Sequence, residues 1–225
     1  MREQKLYVYK IRVDDGGAPC VDDGLWSLAI CKPAIRRTAE VGDLVFAFGT
    51  NAESPANRLV CIAKVTRKLG GDSYYGSIEF RARGDCIYRI DDNQRFLIRD
   101  DARFHSLGFG ITKDVGGYPE YKNSQVLVSN EFRYFGNCGT ADWKLSSPQL
   151  KDLVENMGQG HRVNYAPELH DELKILKEQV WQEAGPGCHG VPLHAPSFSM
   201  RADSDEGYEV SKTVCNYFKE PPICG

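Results

Sequence analysis

Three groups of residues have the types and spacing that chemistry requires. The first is Cys31-Lys32-Pro33-Ala34-Ile35-Arg36-Arg37-Thr38, with a thiol, three cations and a hydroxyl in eight residues. Arg36 and Arg37 can grip a phosphate bidentately, Lys32 can add a point charge, and Thr38 a hydroxyl donor. Cys31 attacks as a thiolate, a form that adjacent cations favour. A solvated basic turn beside an inert cysteine fits the same pattern. The second group is Asp101 and His105, four residues apart, which suit an acid–base pair or a histidine oriented toward a base edge. Capping of local structure is the plain alternative. The third is Gly158-Gln159-Gly160-His161-Arg162, whose glycines admit a ligand close to the backbone while His161 and Arg162 donate to it. A helix end would need a glycine there anyway.

Aromatic side chains add a fourth possibility. Trp26, Tyr74, Tyr75, Tyr88, Phe96, Phe104, Tyr134 and Phe135 are available, and a base stacked on one gains about 1–3 kcal/mol. Most must be core, but one or two facing a cleft suffice. Tyr88 and its neighbour Arg89 therefore join Lys32, Arg36, Arg37, Thr38, His105, Gly160, His161 and Arg162 as candidate ligand contacts. No P-loop, HExxH or GxSxG is present, so no cofactor is expected. The eight cysteines form no CxxC, and the nearest approach to a zinc pattern is Cys188-His189 with His194, so no metal is expected.

Strand-like runs must position these groups. Leu6 to Val13 alternates, Leu25 to Ile30 is apolar, and Leu44 to Phe48 follows a Gly42-Asp43 turn out of the basic loop. Leu59 to Thr66 is the clearest strand. Cys86–Ile90 and Arg95–Ile98 flank the turn Asp91-Asp92-Asn93 and read as a hairpin. A glycine-rich connection from Gly108 to Gly117 precedes two more strands, Gln125–Ser129 and Phe132–Gly136. Helices come late, one after Ser147-Pro148 and one from Pro167 to Ala184 with Leu169, Leu173, Leu176 and Val180 on one face. The expectation is an α+β fold: a twisted, β-barrel-like domain over residues 1–185 with a short helical C-terminal part. Residues 186–225 read as a poorly ordered polar extension.

Composition narrows the function. The net charge of -3 argues against coating nucleic acid through bulk charge. The charge is uneven, however: thirteen Lys and Arg stand against ten Asp and Glu between Ile30 and His105, and fifteen against twenty-one elsewhere. That permits a local nucleic-acid site. No stretch approaches the ~20 apolar residues of a membrane span. Met1-Arg2-Glu3-Gln4-Lys5 runs into Leu6-Tyr7-Val8-Tyr9 without a signal-like apolar region, so a cytoplasmic location and reduced thiols are expected.

Several of these elements together resemble the nucleotide modification associated domain family, the second of its numbered set. The resemblance rests on Leu6–Tyr9, Cys31–Asp43, Arg58–Val60 leading into Lys64–Thr66, and Gly84–Arg89. It continues through Val126–Ser129, Phe132–Gly136 and Gly158–Arg162. It covers roughly residues 5–180, with a shortened stretch between Tyr74 and Gly84. The strand entry Val41–Phe46 also looks like that of PUA, ASCH and EVE domains, a group that binds modified bases or RNA beside a barrel. The resemblance implies a part in a phage or bacterial DNA-modification or defence system. Its partner would be DNA or a nucleotide carrying a modified base, and other modification-system proteins are possible partners. A reader of the modified base is the first expectation. An enzyme acting on such a base or nucleotide, with Asp101, His105 or Cys31 as catalytic groups, is the alternative, and a partner-binding scaffold the third.

Overall fold

Alternation in β1 (Leu6–Lys10) decides the layering. Leu6 and Val8 point to one side and Tyr7 and Tyr9 to the other, and all four are fully buried. A strand buried on both faces belongs inside a sheet. In the computed structural model, which describes residues 2–22, 24–105, 110–158 and 160–194, β1 runs parallel to β4 (Leu44–Phe48). β4 pairs antiparallel with β5 (Leu59–Lys64), and β5 with β10 (Glu131–Tyr134). Two-residue strands, β11 (His161–Arg162) and β12 (Gly187–Cys188), complete the six-stranded sheet at its edges.

One face of this sheet presents Leu6, Val8, Phe46, Phe48 and Ile62 to α4 (Pro148–Asn156) and α5 (Pro167–Glu183). Leu169, Leu173, Leu176 and Val180 of α5 are buried there, as their three- and four-residue steps require. Ser147 makes no side-chain cap on α4. The Glu172 carboxylate of α5 accepts instead from the Gln149 and Leu150 amides, at 3.3 and 2.8 Å. The opposite face presents Tyr7, Tyr9, Val45, Ala47 and Ala63 to Trp26, Leu28 and Leu127 of a second sheet. That sheet is ordered β2 (Cys20–Asp22), β3 (Leu25–Leu28), β9 (Val126–Ser129), β6 (Arg67–Leu69). Its outer side is covered by α2 (Gly71–Tyr75), α3 (Ile111–Val115) and the hairpin of β7 (Tyr88–Ile90) and β8 (Phe96–Ile98).

The fold is thus mixed α and β, with several sheets and few helices. Among the described residues the sheets do not join into a closed barrel. Three local expectations change. The basic loop is not a loop: Pro33–Thr38 forms α1, with Pro33 at its first turn, where a missing N–H costs nothing. The glycine-rich connection, whose residues 106–109 lie outside the described set, contains α3. Residues 186–194, the start of the stretch 186–225 expected to be a poorly ordered polar extension, are packed. β12 pairs with β10, the Asn137 amide donates to Val191 O, and His194 and Asp14 exchange bonds through His194 N and Nδ1. The rest of the expected extension falls outside the described residues. Cys20, Cys31, Cys61, Cys86 and Cys188 are free thiols, whereas Cys138 is disulfide-bonded, contrary to the all-thiol expectation. No helix among the described residues is long and apolar enough to cross a membrane.

Candidate functional site

A buried ion pair organises the site. Arg36 faces inward from α1 and is 0% exposed. Its guanidinium donates to Cys31 O at 2.7 Å, Gln125 O at 3.1 Å, Asp114 O at 2.7 Å and Asp114 Oδ1 at 2.6 Å. All of its donor nitrogens serve the protein, so the expected phosphate ligand is a structural strut. Asp114, from α3, also accepts from the Cys31 amide at 2.7 Å and the Tyr88 hydroxyl at 2.9 Å. Cys31 is therefore gripped at both its N–H and its C=O. The backbone there is left-handed, with φ of 57° at Cys31 and 42° at Lys32. Non-glycine residues hold this conformation only when their surroundings over-determine it, and such residues cluster at functional sites.

That grip sets the Cys31 sulfur 3.3 Å from His105 Nε2, while His105 Nδ1 lies 4.0 Å from Asp114 Oδ2. His105 is itself left-handed, at φ 59°. Burial, and next the charge of Asp114, push the Cys31 thiol up to about 11, against the opposing pull of Arg36 and Lys32. At neutral pH the group is a thiol, able to donate to Nε2 when that nitrogen is unprotonated. The expected acid of the pair is corrected. Asp101 is a surface residue whose carboxylate accepts from Arg99 at 2.9 and 2.7 Å, and the acid beside His105 is Asp114.

Cys31 and His105 line a cleft of about 990 Å³. Its described walls carry Lys10, Arg12, Lys32, Arg103 and Lys113, with two carboxylates, Asp15 and the already paired Asp114. Lys32 is held in place, with Nζ donating to Lys10 O at 3.0 Å and lying 4.9 Å above the Tyr9 ring; burial lowers its pKa. Gly160 and His161 form part of the rim, and the His161 ring lies 5.9 Å from that of Tyr7. Burial, then Lys32 and Arg162, lower the His161 pKa. Of the aromatics considered, Phe104 is the one lining the cleft. Its ring lies so near Gly17 that a Cβ there would sit 2.9 Å from Phe104 Cδ1.

The remaining candidates are not brought together. Arg37 and Thr38 occupy the exposed side of α1, one near Asn123 Oδ1 at 3.4 Å and the other bonded back to Ala34 O. Tyr88 is buried beneath Asp114 and cannot stack a ligand, and the strand alternation that buries it exposes Arg89. Arg162 is exposed and bonds to His161 O. Missed from sequence were Asp114, Phe104 as the cleft aromatic, and the cations Lys10, Arg12, Arg103 and Lys113. Among the described residues no group of three or more His, Cys, Asp or Glu is placed to hold a metal ion.

A family model described as nucleotide modification associated domain 2 matches residues 3–197. No curated protein and no solved structure matches the chain.

Proposed function

Because the chain belongs to the nucleotide modification associated domain 2 family and so has a nucleotide-modification-associated role, we propose that its cleft recognises a nucleotide, or one nucleotide of a DNA strand, that carries a modified base. The observation that carries the reading is the concentration of five Lys and Arg around a cleft with apolar walls such as Ile11, Pro33 and Met157. Cations at a rim suit phosphate, and apolar and aromatic surface suits a base. A volume of about 990 Å³ accommodates a nucleotide with its flanking phosphates. Phe104 is the stacking surface in this reading, and Lys32, Arg12 and Lys113 the phosphate contacts. The setting is a bacterial or phage DNA-modification or defence system in the cytoplasm.

The test is binding to short oligonucleotides with unmodified, 5-methyl, 5-hydroxymethyl and glucosylated bases at two salt concentrations, followed by mass analysis of the DNA. Selective retention of one modification, weakened by salt through the phosphate contacts, is expected. Equal retention of every oligonucleotide refutes the reading.

A further inference from the structure

We propose that Cys31 is a nucleophile, activated by His105, that adds to C6 of a pyrimidine base held in the cleft. The proposal rests on the nucleotide reading above and assigns that site a covalent step. Among the free thiols of the described residues, Cys20, Cys61 and Cys86 are buried in the core and Cys188 sits on an edge strand, whereas Cys31 lines the cleft. The sulfur and His105 Nε2 are 3.3 Å apart, within reach of direct proton transfer, and Asp114 lies behind the far ring nitrogen. Of the six non-glycine residues with positive φ among the described residues, three are Cys31, Lys32 and His105, all in the wall of this one cleft.

The surroundings of the sulfur select the reaction. Acyl transfer needs N–H donors aimed at a developing oxyanion. Here the Cys31 amide is bonded to Asp114 Oδ1 and Pro33, two residues on, has no N–H, so residues 31–33 offer the single Lys32 amide rather than a pair of donors. Addition to a pyrimidine needs no such donors at the sulfur and no leaving group. As the S–C6 bond forms, the thiol proton passes to His105 Nε2 and the electron pair of the C5=C6 bond moves to C5. C5 then takes a proton from the imidazolium, giving a 5,6-dihydropyrimidine thioether. Loss of the C5 proton to His105 and expulsion of the thiol restore the starting base, so the cycle requires no oxidant or reductant. Since Cys31 rests as a thiol, His105 must accept its proton as the bond forms. The other titratable groups that interact electrostatically with the Cys31 thiol are Asp114, Arg36, Lys32, Asp15, Tyr9 and Tyr88.

The cycle replaces a C5 proton by solvent. The test incubates the full chain with dCMP or dUMP in D2O and follows the C5 proton by NMR, with binding of each nucleotide measured by calorimetry. A parallel arm follows iodoacetamide alkylation of each cysteine by peptide mass analysis. Wild-type protein should exchange the C5 proton, and Cys31→Ser and His105→Asn should not. Asn tolerates the left-handed backbone, so His105→Asn should keep the wild-type melting temperature. It should slow alkylation of Cys31 at neutral pH by at least about 100-fold, the scale of general-base assistance. The edge-strand variant Cys188→Ser should exchange like wild type. A bound pyrimidine nucleotide that retains its C5 proton overturns the proposal and leaves the nucleotide reading standing, as do Cys31 alkylation indifferent to His105→Asn and failure of dCMP and dUMP to bind where a modified oligonucleotide binds. Failure of every nucleotide and oligonucleotide to bind overturns both.

Discussion

Replacing Arg36 by Met tests whether the basic segment acts through its shape or through its charge. The substitution keeps most of the side-chain volume and leaves the Asp114 carboxylate buried, with the Cys31 amide and Tyr88 hydroxyl as its remaining donors. It also strips donors from Cys31 O, Gln125 O and Asp114 O. Breaking one side of a buried pair costs roughly 3–5 kcal/mol, and the retained donors place this case toward the lower end. A chain of this size loses about 2–4 °C of melting temperature per kcal/mol, so a fall on the order of 10 °C is expected. Thermal unfolding followed by circular dichroism reads it directly. Arg36→Met combined with Asp114→Leu should recover much of the loss, because an apolar pair leaves no stranded charge. If Arg36→Met melts with wild type and loses only nucleotide affinity, Arg36 contacts the ligand and the strut assignment is wrong.

Other perturbations probe the framework and the cleft. Glu172→Gln removes the charge that accepts from the α4 N-terminal amides and should cost about 1 kcal/mol in urea unfolding; no loss would mean water caps α4 equally well. Gly17→Ala drives a methyl into the Phe104 ring and should weaken nucleotide binding with little change in melting temperature; unchanged affinity would remove Phe104 from the site. Alkali should destabilise the fold. Burial holds the Cys31 and Cys86 thiols up to about 11 and Cys61 up to about 12, above the ordinary value of 9.0. The unfolded chain therefore releases these protons first, and stability is complete below pH 9 and falls as pH rises toward 12. Cys61→Ala should flatten that decline, and an unchanged slope would show that other groups cause it.

What could be read in the sequence follows the range of the interaction. β1, β4, β5 and α5 carry their own apolar periodicity, so their presence and buried faces are legible one element at a time. The Cys31–Thr38 segment is legible as chemistry but not as shape. Its left-handed entry is imposed by Asp114, which is 83 residues from Cys31, and no local pattern marks that aspartate. One signal was available: an arginine sited between Ile35 and a core strand needs an acid, and the stretch Gly110–Gly116 offers a single one, Asp114, next to Val115. Asp101 was the more conspicuous partner for His105 only because it lies nearer in sequence. Residues 186–194 escaped for another reason. They are held through backbone bonds to Tyr134 and Asn137, and backbone pairing leaves no trace in composition.

Stability alone does not explain why residues 31 and 32 are not glycine. Left-handed backbone costs an L-residue about 1–2 kcal/mol, which glycine avoids while losing roughly 0.5–1 kcal/mol of its greater unfolded freedom. At position 32 a glycine would also forfeit the Nζ bond to Lys10 O, worth about 1 kcal/mol, and the contact above Tyr9. These effects nearly cancel, so Lys32→Gly should unfold within about 1 kcal/mol of wild type. Its affinity for a phosphate-bearing ligand should fall, and the salt dependence of binding should flatten by about one unit of slope. The stability arm and the binding arm then separate what the side chain does from what the backbone demands. A large loss of stability with unchanged binding would mean that Lys32 is a structural cation like Arg36, and that the phosphate contacts lie on Lys10, Arg12, Arg103 and Lys113 alone.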